Sequence, residues 1–260
     1  MRGGECLCFC LLSENVRFAQ QTKTTYIPLS TLAVLNKTGT KRKGSHTLKA
    51  WRGARGEGRN CYTAPPMPLS PIPTALDALR AGRFVIVVDD KDRENEGDLV
   101  IAAEHMNAEK MAFMIRHTGG VVCRALSNAI ADQLDLPPMV NRNTSRRGTP
   151  FTISIEAKDI DTGISAADRS KTVLAAINPV AKADDLRRPG HIFPLRADNG
   201  GVLKRTGHTE ASTDLCRLAG LREGAVISEL MHDNGTMMRL PALEAFAKEH
   251  DLPLISIADL

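Results

Sequence analysis

Residues 84–103 have the sequence FVIVVDDKDRENEGDLVIAA, in which two apolar runs flank a dense charged loop. A short run rich in Val and Ile predicts a β-strand, and a continuous apolar run is typical of a strand that is buried on both faces. Residues 84–88 and 99–103 are therefore predicted to be buried strands of a folded domain.

Outward from these strands, the hydrophobic pattern alternates between the periods of strands and helices. Further strands are predicted at 120–126, 151–155, 225–230 and 252–257, and helices at 75–81, 107–117, 127–134, 165–177, after 208 and at 240–250. The first helix is expected to follow a Thr74 cap and to end at Gly82, and residues 178–201 to form a long loop. The expected fold class is α/β (α+β): one compact domain with a mixed sheet and flanking helices.

The N-terminal part of the chain differs in composition from the rest. Residues 1–66 hold eleven Lys and Arg against three acidic residues, and they show no sustained hydrophobic period. They are predicted to be a disordered basic extension, either a targeting peptide or the product of a start codon placed too far upstream. The proline-rich residues 67–73 are predicted to be an extended linker, so that the domain spans 74–260.

Charge, hydropathy and cysteine content exclude several classes of protein. The net charge is +4, but its excess lies in residues 1–66, so a basic fold that binds nucleic acid is not expected. No apolar run approaches the roughly 20 residues of a membrane span. Only Cys123 and Cys216 lie beyond residue 66, which predicts a reducing compartment: the cytoplasm, or an organelle if residues 1–66 are a targeting peptide.

The charged loop between the two apolar strands, residues 89–98, is a candidate metal site. A charged loop taken alone is usually a solvated turn. Crowded carboxylates also suit Mg²⁺, which takes one or two protein ligands and leaves its other positions to water and substrate oxygens. Both interpretations are open at this point.

Three further segments carry candidate site residues. In residues 200–211, a strand and a glycine-containing turn are predicted to lead into a helix. The free N–H groups at the start of this helix, with Arg205 and Thr209, would form a phosphate cradle; an ordinary strand-to-helix loop is the alternative. His208 is either a helix cap or a metal ligand.

His191 lies in backbone constrained by proline and glycine, as a positioned acid or base needs, although lone histidines are more often structural. Glu229 ends an apolar strand, where a carboxylate is costly unless it is paired, functional or facing solvent.

Six motifs, taken in order, resemble the signature of the 3,4-dihydroxy-2-butanone 4-phosphate synthase family. They are DRENEGD at 92–98, TGGVVC at 118–123, NTS at 143–145, TGISAADR at 162–169, RPGH at 188–191 and GHTEA at 207–211. The resemblance extends from about residue 74 to residue 260. Six ordered motifs are far more specific than any one of them, so they favour the functional interpretation of each segment.

The resemblance implies a lyase of riboflavin biosynthesis that converts D-ribulose 5-phosphate to L-3,4-dihydroxy-2-butanone 4-phosphate and formate. The implied cofactor is Mg²⁺ or Mn²⁺, with one or two ions per site, and no organic cofactor is expected. A homodimer with each active site near the subunit boundary is also implied. The reaction would begin with proton removal next to the ketone, giving an enediol that the metal stabilises.

The resemblance also implies roles for the residues that match the motifs. Glu94 and His208 would bind the metal, and His191 and Glu229 would be catalytic. A larger group would bind the substrate: Arg93, Glu94, Asp98, Cys123, Arg205, Thr206, Gly207, His208, Thr209 and Glu229. Within this group, Arg93 and Asp98 would contact the sugar and residues 205–209 the phosphate, while Cys123 and Glu96 line the pocket.

Some positions depart from the family pattern. Arg146 and Arg147 add positive charge beside the 143–145 motif, Ser228 stands where a cysteine is common, and His232 stands where an asparagine or aspartate is usual. None of these changes removes a proposed metal ligand.

The rival interpretations are a metal-dependent sugar-phosphate isomerase or aldolase that releases no formate, and a catalytically silent binding domain. Related chains often continue into a GTP cyclohydrolase domain; this one ends at Leu260, so a single activity is expected.

Overall fold

The computed structural model describes residues 69–260, and the predicted basic extension 1–66 lies outside the described residues. The strands are β1 (Val85–Val88), β2 (Gly97–Ala102), β3 (Cys123–Leu126), β4 (Ile155–Ala157), β5 (Leu186–Arg196), β6 (Gly224–Glu229) and β7 (Leu254–Ser256). The α-helices are α1 (Ile72–Arg80), α2 (Ala108–His117), α3 (Asn128–Gln133), α4 (Ala166–Ile177), α5 (His208–Leu218) and α6 (Leu240–Glu249). Short 3-10 helices occur at Ala103–His105, Ala183–Asp185 and Gly201–Leu203.

The seven strands form one mixed sheet in the order β4-β5-β3-β6-β2-β1-β7. The pairs β1–β7 and β3–β5 are parallel, and the other four pairs are antiparallel. In the centre of the sheet, Val88 pairs with Gly97, and Asp98 pairs with Glu229. Three strand ends therefore meet at the same end of the sheet: the end of β1, the start of β2 and the end of β6. The acidic loop 89–96 joins β1 to β2 at this end.

Both faces of the sheet are covered by helices, which confirms the predicted fold class. Helices α2, α3, α4 and α6 contribute to the core on one face, and α1 and α5 to the core on the other. Neighbouring residues of β1 alternate between the two cores: Ile86 belongs to the first, and Val85 and Val87 belong to the second. Each fully buried side chain of this kind contributes roughly 1.5–3 kcal/mol, which explains why the strand is apolar throughout.

Most of the predicted helices are confirmed, and their caps are visible in the structure. The side chain of Asn107 accepts a hydrogen bond from Lys110 N at the start of α2, and Gly82 after α1 has a φ of 70°. The predicted start of α1 after Thr74 is wrong, because the helix begins at Ile72 with Pro73 in its first turn. Proline suits this position since the first N–H groups of a helix have no intrahelical partner. No helix of the described residues is long and apolar enough to cross a bilayer.

The region from 151 to 201 was predicted least well. The predicted loop 178–201 contains β5, whose prolines are typical of loops rather than of paired strands. This strand nevertheless pairs with β3 on one side and with β4 on the other. The predicted strand 151–155 is also wrong, because β4 begins at Ile155, and Phe151 makes only an isolated bridge to Leu195.

Candidate active site

A pocket of about 210 Å³ opens at the sheet edge where the acidic loop meets the start of α5. Eight of the residues predicted to bind substrate line it: Arg93, Glu94, Asp98, Cys123, Arg205, His208, Thr209 and Glu229. Glu96 lines it as well, whereas Thr206 and Gly207 belong to the adjoining turn and do not. Residues that are distant in the sequence thus converge on one concave site.

The buried carboxylate of Asp89 gives the acidic loop its shape. Its oxygens accept hydrogen bonds from the backbone N–H groups of Glu94 at 3.0 Å and of Glu96 at 2.9 Å. Nη1 of Arg93 donates to the same carboxylate at 2.9 Å. Asn95 has a φ of 56°, a left-handed conformation that asparagine tolerates better than most residues and that lets the loop turn back. The loop is therefore held in the conformation that brings Glu94 to α5.

His208, the first residue of α5, is buried and oriented by the sheet. Its Nε2 donates a hydrogen bond to the carbonyl of Val87 at 3.1 Å, so its Nδ1 is directed to the acidic loop. Nδ1 lies 3.7 Å from Oε2 of Glu94 and 3.8 Å from Oδ1 of Asp98. Three potential ligand atoms lie within 4.8 Å of one another, one each from Asp89, Glu94 and His208. The acidic loop and the histidine turn thus share one site.

The charges in this site shift one another's ionisation. The nearby imidazole of His208, with the guanidinium of Arg93, lowers the pKa of Glu94 to about 2, although burial opposes this shift. Burial raises the pKa of Asp98 to about 7. Burial alone would lower the pKa of His208, but the carboxylates of Asp98, Glu94 and Asp89 outweigh it and raise the pKa to about 9. Without a metal, an imidazolium therefore balances part of the negative charge.

The turn before α5 has the features of an anion site. Nη1 of Arg205 donates to Oε2 of the fully buried Glu210 at 2.6 Å, which holds the guanidinium at the pocket. A Cβ on Gly207 would overlap this guanidinium, so a larger residue there would push Arg205 out of its present position. The N-terminus of a helix carries free N–H groups and partial positive charge, and both favour an anion. The predicted strand before this turn is wrong: the segment is the 3-10 helix Gly201–Leu203.

His191 is the one predicted catalytic residue that does not line this pocket. It lies on β5, where its Nδ1 is 3.0 Å from Oε2 of Glu156, and 44% of its side chain is exposed. Phe193 of β5 pairs with Cys123, and Cys123 also pairs with Ile227 of β6, so His191 and Glu229 both lie beyond these pairs at the same end of the sheet, with β3 between their strands. Within one chain, His191 therefore lies at the pocket end of the sheet but is not among the residues that line the pocket.

Several pocket residues were not identified from the sequence. Asp89 organises the loop, yet nothing in the pattern distinguished it from the neighbouring aspartates. Thr149, Phe151, Leu195 and Ile227 also line the pocket. Thr149 closely follows the 143–145 motif, which was the only available signal; the apolar residues resemble ordinary strand residues. Burial raises the pKa of the Cys123 thiol, so Cys123 lines the pocket as an uncharged thiol and not as a thiolate.

The residues present fit a hard divalent cation. Carboxylate oxygens with one imidazole are a donor set that such cations accept. Oδ1 of Asp98 is buried and has no hydrogen-bond partner within residues 69–260, as expected for an acceptor that serves something outside the chain. Since Asp89 is engaged with the loop backbone, Glu94 and His208 are the residues that would hold the ion.

Comparisons with known proteins agree with this site. The family model for 3,4-dihydroxy-2-butanone 4-phosphate synthase matches residues 73–260. A 3,4-dihydroxy-2-butanone 4-phosphate synthase of Edwardsiella ictaluri is 55% identical over 194 residues, covering 74% of this chain and 89% of the relative. One of Shewanella loihica is 54% identical over 190 residues, covering 73% of this chain and 88% of the relative.

A solved structure is similar over the same region. A crystal structure of 3,4-dihydroxy-2-butanone 4-phosphate synthase in complex with two magnesium ions matches the chain with a TM-score of 0.72 and 44% sequence identity. The match covers 73% of this chain and 94% of the other. The family match, which spans residues 73–260, includes all the elements that form the pocket.

Proposed function

Because this chain belongs to the 3,4-dihydroxy-2-butanone 4-phosphate synthase family, we propose that its pocket binds ribulose 5-phosphate beside a divalent cation held by Glu94 and His208. The chain is a lyase of riboflavin biosynthesis that converts D-ribulose 5-phosphate to L-3,4-dihydroxy-2-butanone 4-phosphate and formate. The observation that carries the assignment of the site is the 3.7 Å approach of His208 Nδ1 to Glu94 Oε2.

The two ends of the substrate would contact different walls of the pocket. Arg205, Thr209 and the N-terminus of α5 supply donors and positive charge for the phosphate. Arg93 and Asp98 lie beside Glu94 and would orient the sugar hydroxyls. The apolar wall of Phe151, Leu195 and Ile227 excludes water from the reacting carbons.

Proton transfer requires groups that face the carbon next to the ketone. Glu229 lies in the pocket wall, opposite Asp98 in the pairing of β2 and β6, and is assigned as one acid/base group. A bound divalent cation would neutralise the negative charge that develops on the vicinal oxygens of the substrate. Either Mg²⁺ or Mn²⁺ suits these ligands, and Oδ1 of Asp98, which has no hydrogen-bond partner within residues 69–260, would be available to a second ion near the first.

The second acid/base group, His191, would come from another copy of the chain. It does not line the pocket of its own chain, and two exposed apolar side chains belong to the segments around it: Val121 is 47% exposed, and Ile164, which follows the Gly163 that contacts His191, is 52% exposed. Arg169 links these two segments, because it donates to the carbonyls of Ile164 and Gly120. Such a surface beside an exposed catalytic histidine supports a homodimer with each site at the subunit boundary.

The metal assignment is tested by Glu94→Gln, with Asp92→Asn as a matched control. Asp92 lies in the same loop but is exposed, and the control makes the same chemical change. Glu94→Gln is expected to abolish Mg²⁺ binding by calorimetry and formate release from ribulose 5-phosphate, with an unchanged circular dichroism spectrum. Asp92→Asn should retain both. Formate release by Glu94→Gln at the normal rate would refute the assignment.

The dimer proposal is tested with a mixed dimer of Glu94→Gln and His191→Ala subunits, purified through two different tags. Each homodimer is expected to be inactive. If His191 acts in the site of the partner, the mixed dimer contains one intact site of two and recovers about half of the wild-type activity. An inactive mixed dimer would mean that His191 acts within its own chain, and an active His191→Ala homodimer would mean that His191 has no catalytic role.

A further inference from the structure

A turn at the mouth of the pocket brings Arg147 to the carboxylate of Glu94. Nε of Arg147 lies 3.9 Å from Oε1 of Glu94, and 35% of the Arg147 side chain is exposed. Asn143 holds the turn: its Oδ1 accepts a hydrogen bond from Ser145 N, and its Nδ2 donates to the carbonyl of Thr149, both at 2.9 Å. Arg147 is therefore carried by a hydrogen-bonded turn whose last residue lines the pocket.

The two carboxylate oxygens of Glu94 face different groups. Oε2 accepts a hydrogen bond from Nη1 of Arg93 at 2.7 Å and lies 3.7 Å from Nδ1 of His208. Within residues 69–260, Oε1 has Arg147 as its ion-pair partner. A divalent cation on Glu94 would therefore meet a guanidinium at the same carboxylate, and two cations so close repel each other.

We propose that Arg147 is a positioning residue: it occupies Glu94 when no metal is bound, is displaced by the divalent cation, and then binds the phosphate of the substrate. The proposal rests on the proposed function of this pocket. A cation on Glu94 cancels the attraction for the guanidinium, and the anion that next reaches the pocket mouth is the substrate phosphate. Arginine suits this role because its planar donors can bind a phosphate bidentately.

The guanidinium of Arg147 is held less firmly than that of Arg205. Nη1 of Arg205 is already engaged with the buried Glu210, whereas the pairing of Arg147 at 3.9 Å is longer and more exposed. Exposed ion pairs are weak, so a divalent cation can displace Arg147 at little cost. The same side chain then weakens metal binding before the substrate arrives and strengthens substrate binding afterwards, which couples the two ligands.

The test compares Arg147→Ala with Arg146→Ala. Arg146 is the neighbouring residue, is exposed, and forms no ion pair within the described residues, so its loss changes the net charge equally. Titration of the full-length protein with Mg²⁺ alone is expected to show about threefold to tenfold tighter binding to Arg147→Ala, and binding within about twofold of wild type for Arg146→Ala. The difference should shrink as the salt concentration rises.

A second readout is the kinetics at saturating Mg²⁺. Arg147→Ala should raise the KM for ribulose 5-phosphate about tenfold and leave kcat within about threefold of wild type. Unchanged or weaker Mg²⁺ binding by Arg147→Ala, equal tightening by Arg146→Ala, or an unchanged KM would each overturn the proposal. If the wild type binds Mg²⁺ and Arg147→Ala binds it equally well, this inference alone fails; if the wild type binds no Mg²⁺, the proposed metal site fails with it.

Discussion

Replacing Arg124 with methionine should stabilise the protein. Arg124 lies on β3 and is fully buried, and its Nε, Nη1 and Nη2 have no hydrogen-bond partner within residues 69–260. Burial, reinforced by the charge of Arg222, lowers its pKa from 12.5 to about 9. A buried charge without a partner destabilises the folded state, and methionine fills a similar volume without a charge.

The size of the effect follows from the shift in pKa. The difference between 12.5 and about 9 corresponds to roughly 5 kcal/mol as an upper bound. Replacements of buried ionic groups by apolar ones typically stabilise proteins by about 1–4 kcal/mol, and we expect Arg124→Met to fall in that range. The penalty is complete at pH 7, where the guanidinium is charged in both states.

Urea unfolding at pH 7 measures this effect. The midpoint should increase for Arg124→Met with an unchanged slope, whereas Arg187→Met, the same change at an exposed position of β5, should stay within about 0.5 kcal/mol of wild type. Turnover should be retained, because neighbouring residues of a strand point to opposite faces and Arg124 therefore points away from the face of Cys123. A loss of more than about 1 kcal/mol in Arg124→Met would refute the reasoning and indicate a buried counter-ion.

Three further predictions concern catalysis, pH and metal. Gly163 has a φ of 79°, and a Cβ there would overlap Oε2 of Glu156 and lie 2.7 Å from Nδ1 of His191. Gly163→Ala should therefore reduce kcat at least about tenfold in a formate assay, and unchanged kcat would contradict the role of His191. Burial and the nearby His250 lower the pKa of His117. The free energy of unfolding should thus decrease as the pH falls below 6.5, where the unfolded chain takes up the proton first. A pH series of melting temperatures should show a smaller loss for His117→Phe. Mg²⁺ at about 100 times its Kd should raise the free energy of unfolding of the chelated protein by about 2.7 kcal/mol, and an unchanged melting temperature would contradict metal binding.

The fold could be predicted where hydrophobic pattern and local signals agree. Strand β1 is a continuous apolar run and β2 and β6 each contain one, and the Asn107 cap and the Gly82 turn mark helix ends through local chemistry. Strand β5 could not be predicted in the same way. Its Pro189 and Pro194 lack the N–H group of a regular strand, and its pairing with β3 and β4 depends on segments distant in the sequence.

For the site, the motifs identified the polar residues but not their arrangement. Glu94 and His208 were predicted as metal ligands, and the structure brings them together. Asp89 looked like one of several acids in its loop, yet it alone accepts both backbone N–H groups that shape the turn. His191 was predicted to belong to the same pocket, and the structure places it at the same end of the sheet but outside the pocket lining.

The sequence by itself determined that β1, β2 and β6 are buried strands, that α2 begins after its Asn107 cap, and which motifs contain the candidate site residues, because spacing and side-chain type are local properties of the chain. Only the tertiary structure decided that Asp98 faces Glu229, that His208 is aimed at Glu94, and that Arg147 reaches the same carboxylate. Those contacts follow from strand register and loop closure, which arise from packing between distant segments and leave no local pattern.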